Sequence, residues 1–416
     1  MEPKIQQALE KLTELKSGVF FVNSVVKKIE LALTLVENKL DEVDFIVWIA
    51  PSNFLSTLTY TNEIKKNNRI FRHRMHFYSI ESVSISDEKY LELYNLIHNF
   101  RVFCVVDESI TIKNTEAGRT QRLLGLSTRF VYRLILSSIP LTQGLIDLYS
   151  QLEFLDSKIL RMNENQFNHI FLPFSYNNYL VMKHWSRPED EARLIKLMKP
   201  YVLGYDFGIK FDIVHNNSYF ELTSKEQASY DAEKNMFLRD RTQVAFMDVV
   251  QNFQRMYTLS KNKLDALQRL VKEILARKEK VIIYIKFLDE ITFFKESKFF
   301  GDAKFVELTG KSNKRKAIKE FERNADIMFC TYGVDKFGLD MKLCNNIIYF
   351  SQTFDYKCKI QSLDTINLKG APTKMNVYDF WVKTNLEQLI NDNLERKKNV
   401  LSNVCQMITK EEALRL

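Results

Sequence analysis

The chain has 416 residues, of which 45% are hydrophobic and 27% are charged, and its formal net charge at pH 7 is +8. This composition excludes an intrinsically disordered chain, and the length leaves room for two or three domains with well-buried cores. The positive charge favours an anionic partner such as nucleic acid, although many proteins with this balance bind nothing acidic.

The first 156 residues alternate strand patterns with helical patterns. Each strand pattern is a short apolar run such as Phe45 to Ala50, and each helical pattern repeats apolar residues every three or four positions. This alternation predicts an α/β domain with a mainly parallel sheet over residues 1–156. The predicted strands are residues 18–22, 45–50, 76–80, 103–106 and 132–136, and the predicted helices are residues 5–15, 27–37 and 55–67.

The pattern changes in residues 157–259 and recovers afterwards. Residues 157–259 contain long helical stretches and one convincing strand pattern, Tyr219 to Leu222, which predicts a mostly helical insertion or linker. Regular alternation resumes in residues 260–416 and predicts a second α/β domain that ends in a helix. Its predicted strands are residues 281–285, 327–330 and 346–350, its predicted helices are residues 261–276, 313–321 and 385–400, and the stretch of residues 304–308 continues the alternation.

Cysteine usage and apolar runs limit the cellular setting. The five cysteines are odd in number and show no C-x-x-C spacing, so we predict neither a disulfide framework nor a metal site. No apolar run approaches the ~20 residues that span a bilayer, and the N-terminus has no signal-peptide pattern. We therefore expect a cytoplasmic protein without a membrane partner.

The most informative stretch is Val105-Val106-Asp107-Glu108, a strand pattern that ends in two adjacent carboxylates. Nucleoside triphosphatases use such an acid box to hold magnesium and to position the attacking water. Their phosphate loops need glycines, because backbone N–H groups must approach the phosphates closely. Gly18 is the only glycine before Gly118, so the expected phosphate loop is missing. An acid box without a phosphate loop predicts a disarmed ATPase.

Further strings accompany the acid box. Lys113-Asn114 follows it closely, and the run Leu136 to Pro140 leads into an apolar helix pattern from Leu145 to Asp156. Together they resemble the acid box, the Lys-Asn pair, the Leu-Thr-Gly-Thr-Pro string and the following helix of Swi/Snf-type ATPases in helicase superfamily two. The resemblance implies an α/β fold of two RecA-like parallel-sheet lobes, the P-loop nucleoside triphosphatase fold, and a function on DNA.

The resemblance extends over nearly the whole chain. Lys280 to Tyr284 is similar to the first strand of the family's second lobe, and Gly338 to Met341 resembles its Gly-Leu-Asn-Leu turn. Phe354 to Tyr356 with Gln361 resembles the Trp-Asn-Pro and glutamine element, and Gly370 matches the glycine that ends the next motif. The compact form is most similar to short phage-encoded members, which would place the protein in the cytoplasm of a bacterial host.

One departure from the family pattern removes the phosphate loop. Val25 to Ile29 occupy the place of G-x-G-K-T, so only the lysine, Lys28, remains. Side chains at Val25 and Lys27 would keep the backbone from wrapping the phosphates, and Ile29 offers magnesium no hydroxyl. Lys28 is therefore predicted to belong to a degenerate cofactor site that stays empty.

A second departure removes the arginines of the family's last motif, Q-x-x-x-R-x-x-R-x-G-Q. Thr365 and Leu368 stand at those positions, and Lys369 cannot reproduce the guanidinium fork. An arginine that reaches the transferred phosphate contributes on the order of 10³ to 10⁵ in rate. Asp107 and Glu108 are therefore predicted to be an inactive relic of a catalytic acid box.

Each candidate residue also has a plainer interpretation. Without the resemblance, Asp107 and Glu108 would form a solvated strand end, and Lys28 is expected to be an exposed helix lysine rather than a phosphate ligand. Lys113 and Asn114 lie where the family approaches the DNA backbone. The basic run in residues 311–319 either contacts DNA phosphates or forms the solvated face of one helix. In the first case Lys314 and Arg315 are candidate DNA contacts.

Three hypotheses follow. The preferred one is a pseudo-ATPase, a two-lobed Swi/Snf-like protein that binds duplex DNA, an unidentified protein partner or both, and uses no cofactor. The second is a DNA-dependent ATPase that translocates along duplex and holds ATP and magnesium at a divergent site formed by Lys28, Asp107 and Glu108. The third is a protein-docking scaffold that has lost DNA binding. Phosphate release separates the first two, and salt-dependent retardation of duplex separates the first from the third.

Overall fold

The computed structural model describes residues 3–22, 25–55, 73–142, 144–171, 174–177, 180–183, 188–205, 212–240, 246–333, 344–364 and 374–405. The chain divides into two compact units, Met1–Gly208 with Lys397–Leu416 and Ile209–Arg396. Residues 157–259, predicted to be a separate insertion, are thus shared between the two units. Within the described residues, no helix is both long and apolar enough to cross a bilayer.

The first unit contains a six-stranded sheet in which every strand pairing is parallel. Its strands are β1 (Ser17–Val22), β2 (Phe45–Ala50), β3 (Met75–Ser79), β4 (Val102–Asp107), β5 (Tyr132–Ser137) and β8 (Val202–Tyr205), and β6 (Phe174–Asn177) and β7 (Leu180–Lys183) form a separate antiparallel pair. The order in the sheet is β3-β2-β4-β5-β1-β8. β1 and β4 are buried along their whole length, which explains their continuous apolar sequences.

The helices of the first unit connect the parallel strands. They are α1 (Pro3–Glu14), α2 (Val25–Glu37), α3 (Ser52–Leu55), α4 (Ile80–Ile85), α5 (Asp87–Asn99), α6 (Gly118–Ser127), α7 (Tyr149–Leu155), α8 (Ser157–Leu160), α9 (Glu164–Phe171) and α10 (Pro188–Met198). Because β4, β5 and β1 are neighbours and parallel, the segments that leave their carboxyl ends meet at one edge of the sheet. This topology brings α2 and the acid box together.

The second unit repeats the architecture with a six-stranded parallel sheet. Its strands are β9 (Asp212–Phe220), β10 (Val281–Ile285), β11 (Phe305–Leu308), β12 (Ile327–Thr331), β13 (Asn346–Tyr349) and β14 (Lys374–Val382), in the order β11-β12-β10-β13-β14-β9. Its helices are α11 (Ser224–Asp240), α12 (Phe246–Thr258), α13 (Lys261–Ala276), α14 (Leu288–Glu296), α15 (Lys314–Arg323), α16 (Tyr356–Asp364) and the first part of α17 (Asn385–Cys405), which belongs to the first unit from Lys397 onward.

The two parallel sheets confirm the predicted α/β class with two sheet-bearing lobes. The sequence missed that residues 157–259 supply an edge strand to each sheet, β8 beside β1 and β9 beside β14. β9 lies at the sheet edge, where solvated residues such as His215 and Asn217 interrupt the apolar pattern. Most of the helix predicted over residues 55–67 lies outside the described residues.

Candidate functional site

The acid box lies at the carboxyl end of β4 and is buried. Asp107 is the last residue of β4 and has no exposed surface, and Glu108 is 4% exposed. Glu108 has a left-handed backbone, with φ 54° and ψ 51°, which costs a residue with a Cβ on the order of 1 kcal/mol. Its N–H donates to Asp107 Oδ1 at 2.8 Å. Asp107 and Glu108 are therefore not a solvated strand end.

Lys28 reaches the acid box from α2. Its Nζ lies 2.7 Å from Asp107 Oδ1 and 2.8 Å from Glu108 Oε1, and its side chain has no exposed surface. We refer to Lys28, Asp107 and Glu108 as the buried triad. The expectation of an exposed helix lysine is wrong, because the two carboxylates hold the ammonium inside the unit.

The pKa values of Lys28 and Asp107 are both raised, but for different reasons. Burial lowers the pKa of Lys28, but attraction to Asp107 and Glu108 outweighs burial, so the pKa of the ammonium is raised and it stays charged. Burial raises the pKa of Asp107; repulsion from Glu108 acts in the same direction, and Lys28 acts against both. Removing one partner from such a buried group leaves an uncompensated charge, which costs about 3–5 kcal/mol.

α2 begins too soon after β1 to leave room for a phosphate loop. β1 ends at Val22 and α2 begins at Val25, so only residues 23–24 separate them. In the phosphate-loop pattern G-x-x-x-x-G-K-[ST], the six residues before the lysine form the cradle. Four of the six residues before Lys28 belong instead to β1 or α2. Ile29, where a hydroxyl would bind magnesium, is fully buried. These residues do not fit a magnesium-bound triphosphate.

One atom of the acid box is left without a partner. Asp107 Oδ2 is buried and accepts no hydrogen bond from any described residue. Leaving a buried carboxylate oxygen unsatisfied costs about 1–3 kcal/mol, so this atom favours a water or a metal-bound water. The described residues contain no group of three or more His, Cys, Asp or Glu side chains that could hold a metal ion.

A buried hydrogen-bond network behind the acid box was missed from the sequence. Ser109 Oγ donates to Gln151 Oε1 at 2.6 Å, and Gln151 Nε2 donates to the Pro140 carbonyl at 3.0 Å. Ser150 Oγ donates to the Ile112 carbonyl at 2.5 Å. The network ties α7 to the segment that follows β4. The polar pair Ser150-Gln151 in an otherwise apolar helix pattern was the available signal.

Lys113 and Asn114, the predicted DNA contacts of the first unit, have different surroundings. Lys113 Nζ lies 3.4 Å from the buried Asp147 Oδ1 and donates to Thr142 Oγ1, and its side chain is 27% exposed. Asn114 is exposed, and its Oδ1 accepts the N–H of Glu116 at 2.9 Å. Lys113 is thus held by an internal carboxylate, whereas Asn114 presents its side chain to solvent.

The basic run of the second unit lies around the start of α15. Lys311, Lys316 and Lys319 are exposed. Lys314 and Arg315 belong to the first turn of α15, but their side chains lie outside the described residues. Thr365 and Leu368, at the positions of the family arginines, also lie outside the described residues.

A second buried network occupies the carboxyl end of the sheet in the second unit. Glu290 accepts the N–H groups of Lys286 at 3.1 Å and Phe287 at 2.9 Å, and the Ser351 hydroxyl at 2.8 Å. Lys286 Nζ donates to Gln254 Oε1 at 2.5 Å. Burial lowers the pKa of Lys286 to about 8. Attraction from Glu387 and Glu290 offsets only part of this effect of burial, so the Lys286 ammonium loses its proton at a lower pH than an ordinary lysine.

Comparison with known proteins gives matches along most of the chain. The family model of the SNF2-related domain matches residues 43–333. An uncharacterized ATP-dependent helicase of Mycoplasma pneumoniae is 22% identical over 339 residues, covering 76% of this chain and 32% of the relative. ATP-dependent helicase FUN30 of Saccharomyces cerevisiae is 26% identical over 145 residues, covering 33% of this chain and 13% of the relative. The chain thus spans about a third of the length of the Mycoplasma relative.

Among solved structures, the chain is similar to the Sulfolobus solfataricus SWI2/SNF2 ATPase core in complex with dsDNA. The sequence identity is 16% and the TM-score is 0.41, and the match covers 99% of this chain and 94% of the other.

Proposed function

The chain belongs to the SNF2-related family, and on that basis we propose that it is a pseudo-ATPase, a catalytically degenerate Swi/Snf-like protein that binds duplex DNA, a protein partner or both. The observation that carries this proposal is the buried triad. The lysine that would meet phosphates is instead paired with both of the acids that would hold magnesium, inside the unit.

The energetics oppose nucleotide binding at this site. To reach a phosphate, Lys28 would have to leave both carboxylates, and breaking a buried pair costs about 3–5 kcal/mol. At ~1.4 kcal/mol per tenfold, this cost weakens binding roughly 100-fold or more. A phosphate loop would offset the cost with backbone N–H groups, but β1 and α2 already occupy four of the six positions before Lys28.

A second candidate function, a DNA-dependent ATPase that translocates along duplex, is favoured by the unpartnered Asp107 Oδ2. ATP and magnesium would then be bound by Lys28, Asp107 and Glu108 in a rearranged site. The metal would neutralise charge on the phosphates, and Glu108 would orient a water. The names of the relatives, which describe ATP-dependent helicases, agree with this alternative.

Duplex DNA remains the favoured partner of the pseudo-ATPase. Asn114 is exposed, and Lys311, Lys316 and Lys319 present exposed positive charge around α15. Contacts from these side chains to DNA phosphates would require neither recognition of the bases nor bound ATP. A protein-docking scaffold without DNA binding is the outcome if duplex affinity is absent.

Phosphate release tests the choice between pseudo-ATPase and ATPase. Purified protein is incubated with labelled ATP, magnesium and duplex DNA, beside the variants Glu108→Gln and Glu116→Gln. Glu116 is an exposed acid eight residues along the chain and serves as the matched control. We expect no release above background from any of the three. Release that disappears in Glu108→Gln and persists in Glu116→Gln would establish the ATPase instead.

Duplex retardation at several salt concentrations tests the DNA partner. Log affinity is expected to fall linearly with log salt, with a slope of about −0.9 for each phosphate contacted. Replacing Lys316 and Lys319 with glutamine should make the slope less steep by roughly 2. Absence of retardation at low salt would leave the docking scaffold as the function.

A further inference from the structure

A row of aromatic side chains crosses the amino-terminal edge of the first unit's sheet, at the end opposite the acid box. Because β3, β2 and β4 are neighbours, the residues at their amino ends lie side by side at roughly 4.8 Å per strand. The Phe45 ring contacts His76 with centroids 5.1 Å apart and Phe100 with centroids 4.9 Å apart, both edge to face. Aromatic contact therefore runs across three strands.

A second group of rings lies on α5, which leads into β4 at the same edge of the sheet, beside an arginine of the segment before β5. Tyr94 and His98, one turn apart on α5, stack with an interplanar angle of 7° and centroids 6.0 Å apart. The Arg129 guanidinium lies 4.8 Å from the centroid of Tyr94 and 3.4 Å from His98 Nδ1. Arg129 is exposed, and no carboxylate among the described residues bridges to it. Arg122, by contrast, also covers a tyrosine of α5 but is paired with Asp87.

The surroundings of the row are modestly positive and partly apolar. Phe100 is 46% exposed. Arg101 holds Asp44 with a bond of 3.1 Å, and Arg74 lies close enough to help lower the pKa of that carboxyl after the larger effect of Arg101. The segments that lead into β2, β3, β4 and β5 contain Lys39, Arg74, Arg101 and Arg129 against Asp41, Glu42 and Asp44. The charge of this surface therefore does not set it apart from the rest of the unit. Its distinctive feature is an exposed ring, Phe100, on the same edge as Arg129, an arginine that no carboxylate of the described residues bridges.

We propose that this row, formed by Phe45, His76, Tyr94, His98, Phe100 and Arg129, binds single-stranded nucleic acid. Bases stack on the exposed faces of Phe100 and His98, and Arg129 and Arg74 hold the phosphates. Aromatic platforms combined with basic side chains bind single strands without sequence preference, because every base has a π-face. Duplex hides its base faces and gains only the phosphate contacts. The site is independent of the buried triad, which lies at the other edge of the sheet.

Fluorescence anisotropy of the full chain with a labelled 15-residue oligothymidylate tests the proposal, with an abasic oligomer of equal length and charge as the second probe. The variants are Phe100→Ala and Arg129→Gln. Phe77→Ala is the matched control, because Phe77 is 44% exposed and makes no ring contact with another described residue. Thermal melting confirms that each variant is folded. The probes are compared at several salt concentrations.

Phe100→Ala is expected to weaken oligothymidylate binding about tenfold, within the range measured for loss of one stacked base, and to leave abasic binding unchanged. Arg129→Gln should weaken both probes and make the salt slope less steep by about 0.7, the value for one phosphate of a single strand. Equal affinity of Phe100→Ala and Phe77→Ala would overturn the proposal, as would wild-type protein that binds the abasic oligomer as tightly as oligothymidylate. Ultraviolet cross-links to thymine that map to α15 rather than to residues 94–101 would also overturn it.

Discussion

Replacing Lys28 with methionine is expected to destabilise the first unit strongly. Methionine keeps most of the apolar stem but removes the charge that lies 2.7 Å from Asp107 and 2.8 Å from Glu108. Two buried carboxylates are then left uncompensated, and the loss of one partner from such a group costs about 3–5 kcal/mol. For a unit of roughly 200 residues, in which 1 kcal/mol shifts Tm by about 2–4 °C, the expected fall in Tm is roughly 6–20 °C.

Differential scanning calorimetry without nucleotide measures this effect. Lys27→Met is the matched control, since Lys27 is the preceding residue on α2, is exposed and pairs with Glu30 at the surface. An exposed pair contributes about 0–1 kcal/mol, so the control should melt within ~4 °C of wild type. Adding Asp107→Asn and Glu108→Gln to Lys28→Met should recover much of the lost stability, because these changes remove the uncompensated charge.

The effect of Lys28→Met also depends on pH in a definite direction. Without the ammonium, the folded-state pKa of Asp107, which burial already raises, rises further above its unfolded value. A carboxyl whose pKa is higher in the folded state than in the unfolded state stabilises the fold at pH values below its unfolded-state pKa. That stabilisation is lost as pH rises through its folded-state pKa. The destabilisation should therefore be smaller near pH 5 than at pH 8. A variant that melts within ~2 °C of wild type at pH 8, or a loss that does not change with pH, would refute the buried triad.

Three further predictions concern the two polar networks. Gln151→Leu leaves the Ser109 hydroxyl and a carbonyl without partners and should cost about 1–3 kcal/mol in urea unfolding at constant m-value; an unchanged midpoint would contradict the network. Glu290→Leu removes the acceptor of two backbone N–H groups and should cost at least ~2 kcal/mol, with Glu290→Gln less harmful; equal midpoints for the two variants would contradict this account. Burial lowers the pKa of Lys286 to about 8, so the folded state favours the neutral amine more than the unfolded state does. The contribution of Lys286 to stability is therefore complete above the ordinary lysine pKa and is lost as pH falls through about 8. The difference in unfolding free energy between wild type and Lys286→Met should therefore shift in favour of wild type between pH 7 and pH 10, and a constant difference would show that the amine is not desolvated.

The sequence predicted the elements that depend on local pattern. α13 begins at Lys261 and ends at Ala276 as its periodicity indicates, and β4 follows an uninterrupted apolar run that a sheet buried on both faces requires. The acid box was found because it stands at the end of such a strand. These features depend on residues that are close together in the chain, so a single sequence is enough to predict them.

The burial of Lys28 could not be predicted in the same way. Lys27 and Lys28 are adjacent and chemically alike, and helix geometry alone turns the first toward solvent and the second toward the sheet. The carboxylates that stabilise Lys28, Asp107 and Glu108, lie 79 and 80 residues away in the chain. The early start of α2 was equally hidden, since Val25 and Lys27 reveal the loss of glycines but not the conformation that replaces the loop.

The two-residue connection between β1 and α2 also limits how this sequence could evolve a phosphate loop. Glycines at Val25 and Lys27 and a threonine at Ile29 would restore the letters of a phosphate loop but not its length, because helix already occupies those positions. Unwinding that turn would pull Lys28 away from its carboxylates, and extending the loop would require new residues after Val22. Under the proposed pseudo-ATPase function, point substitutions alone would therefore not restore a phosphate loop, and an insertion after Val22 would have to come first.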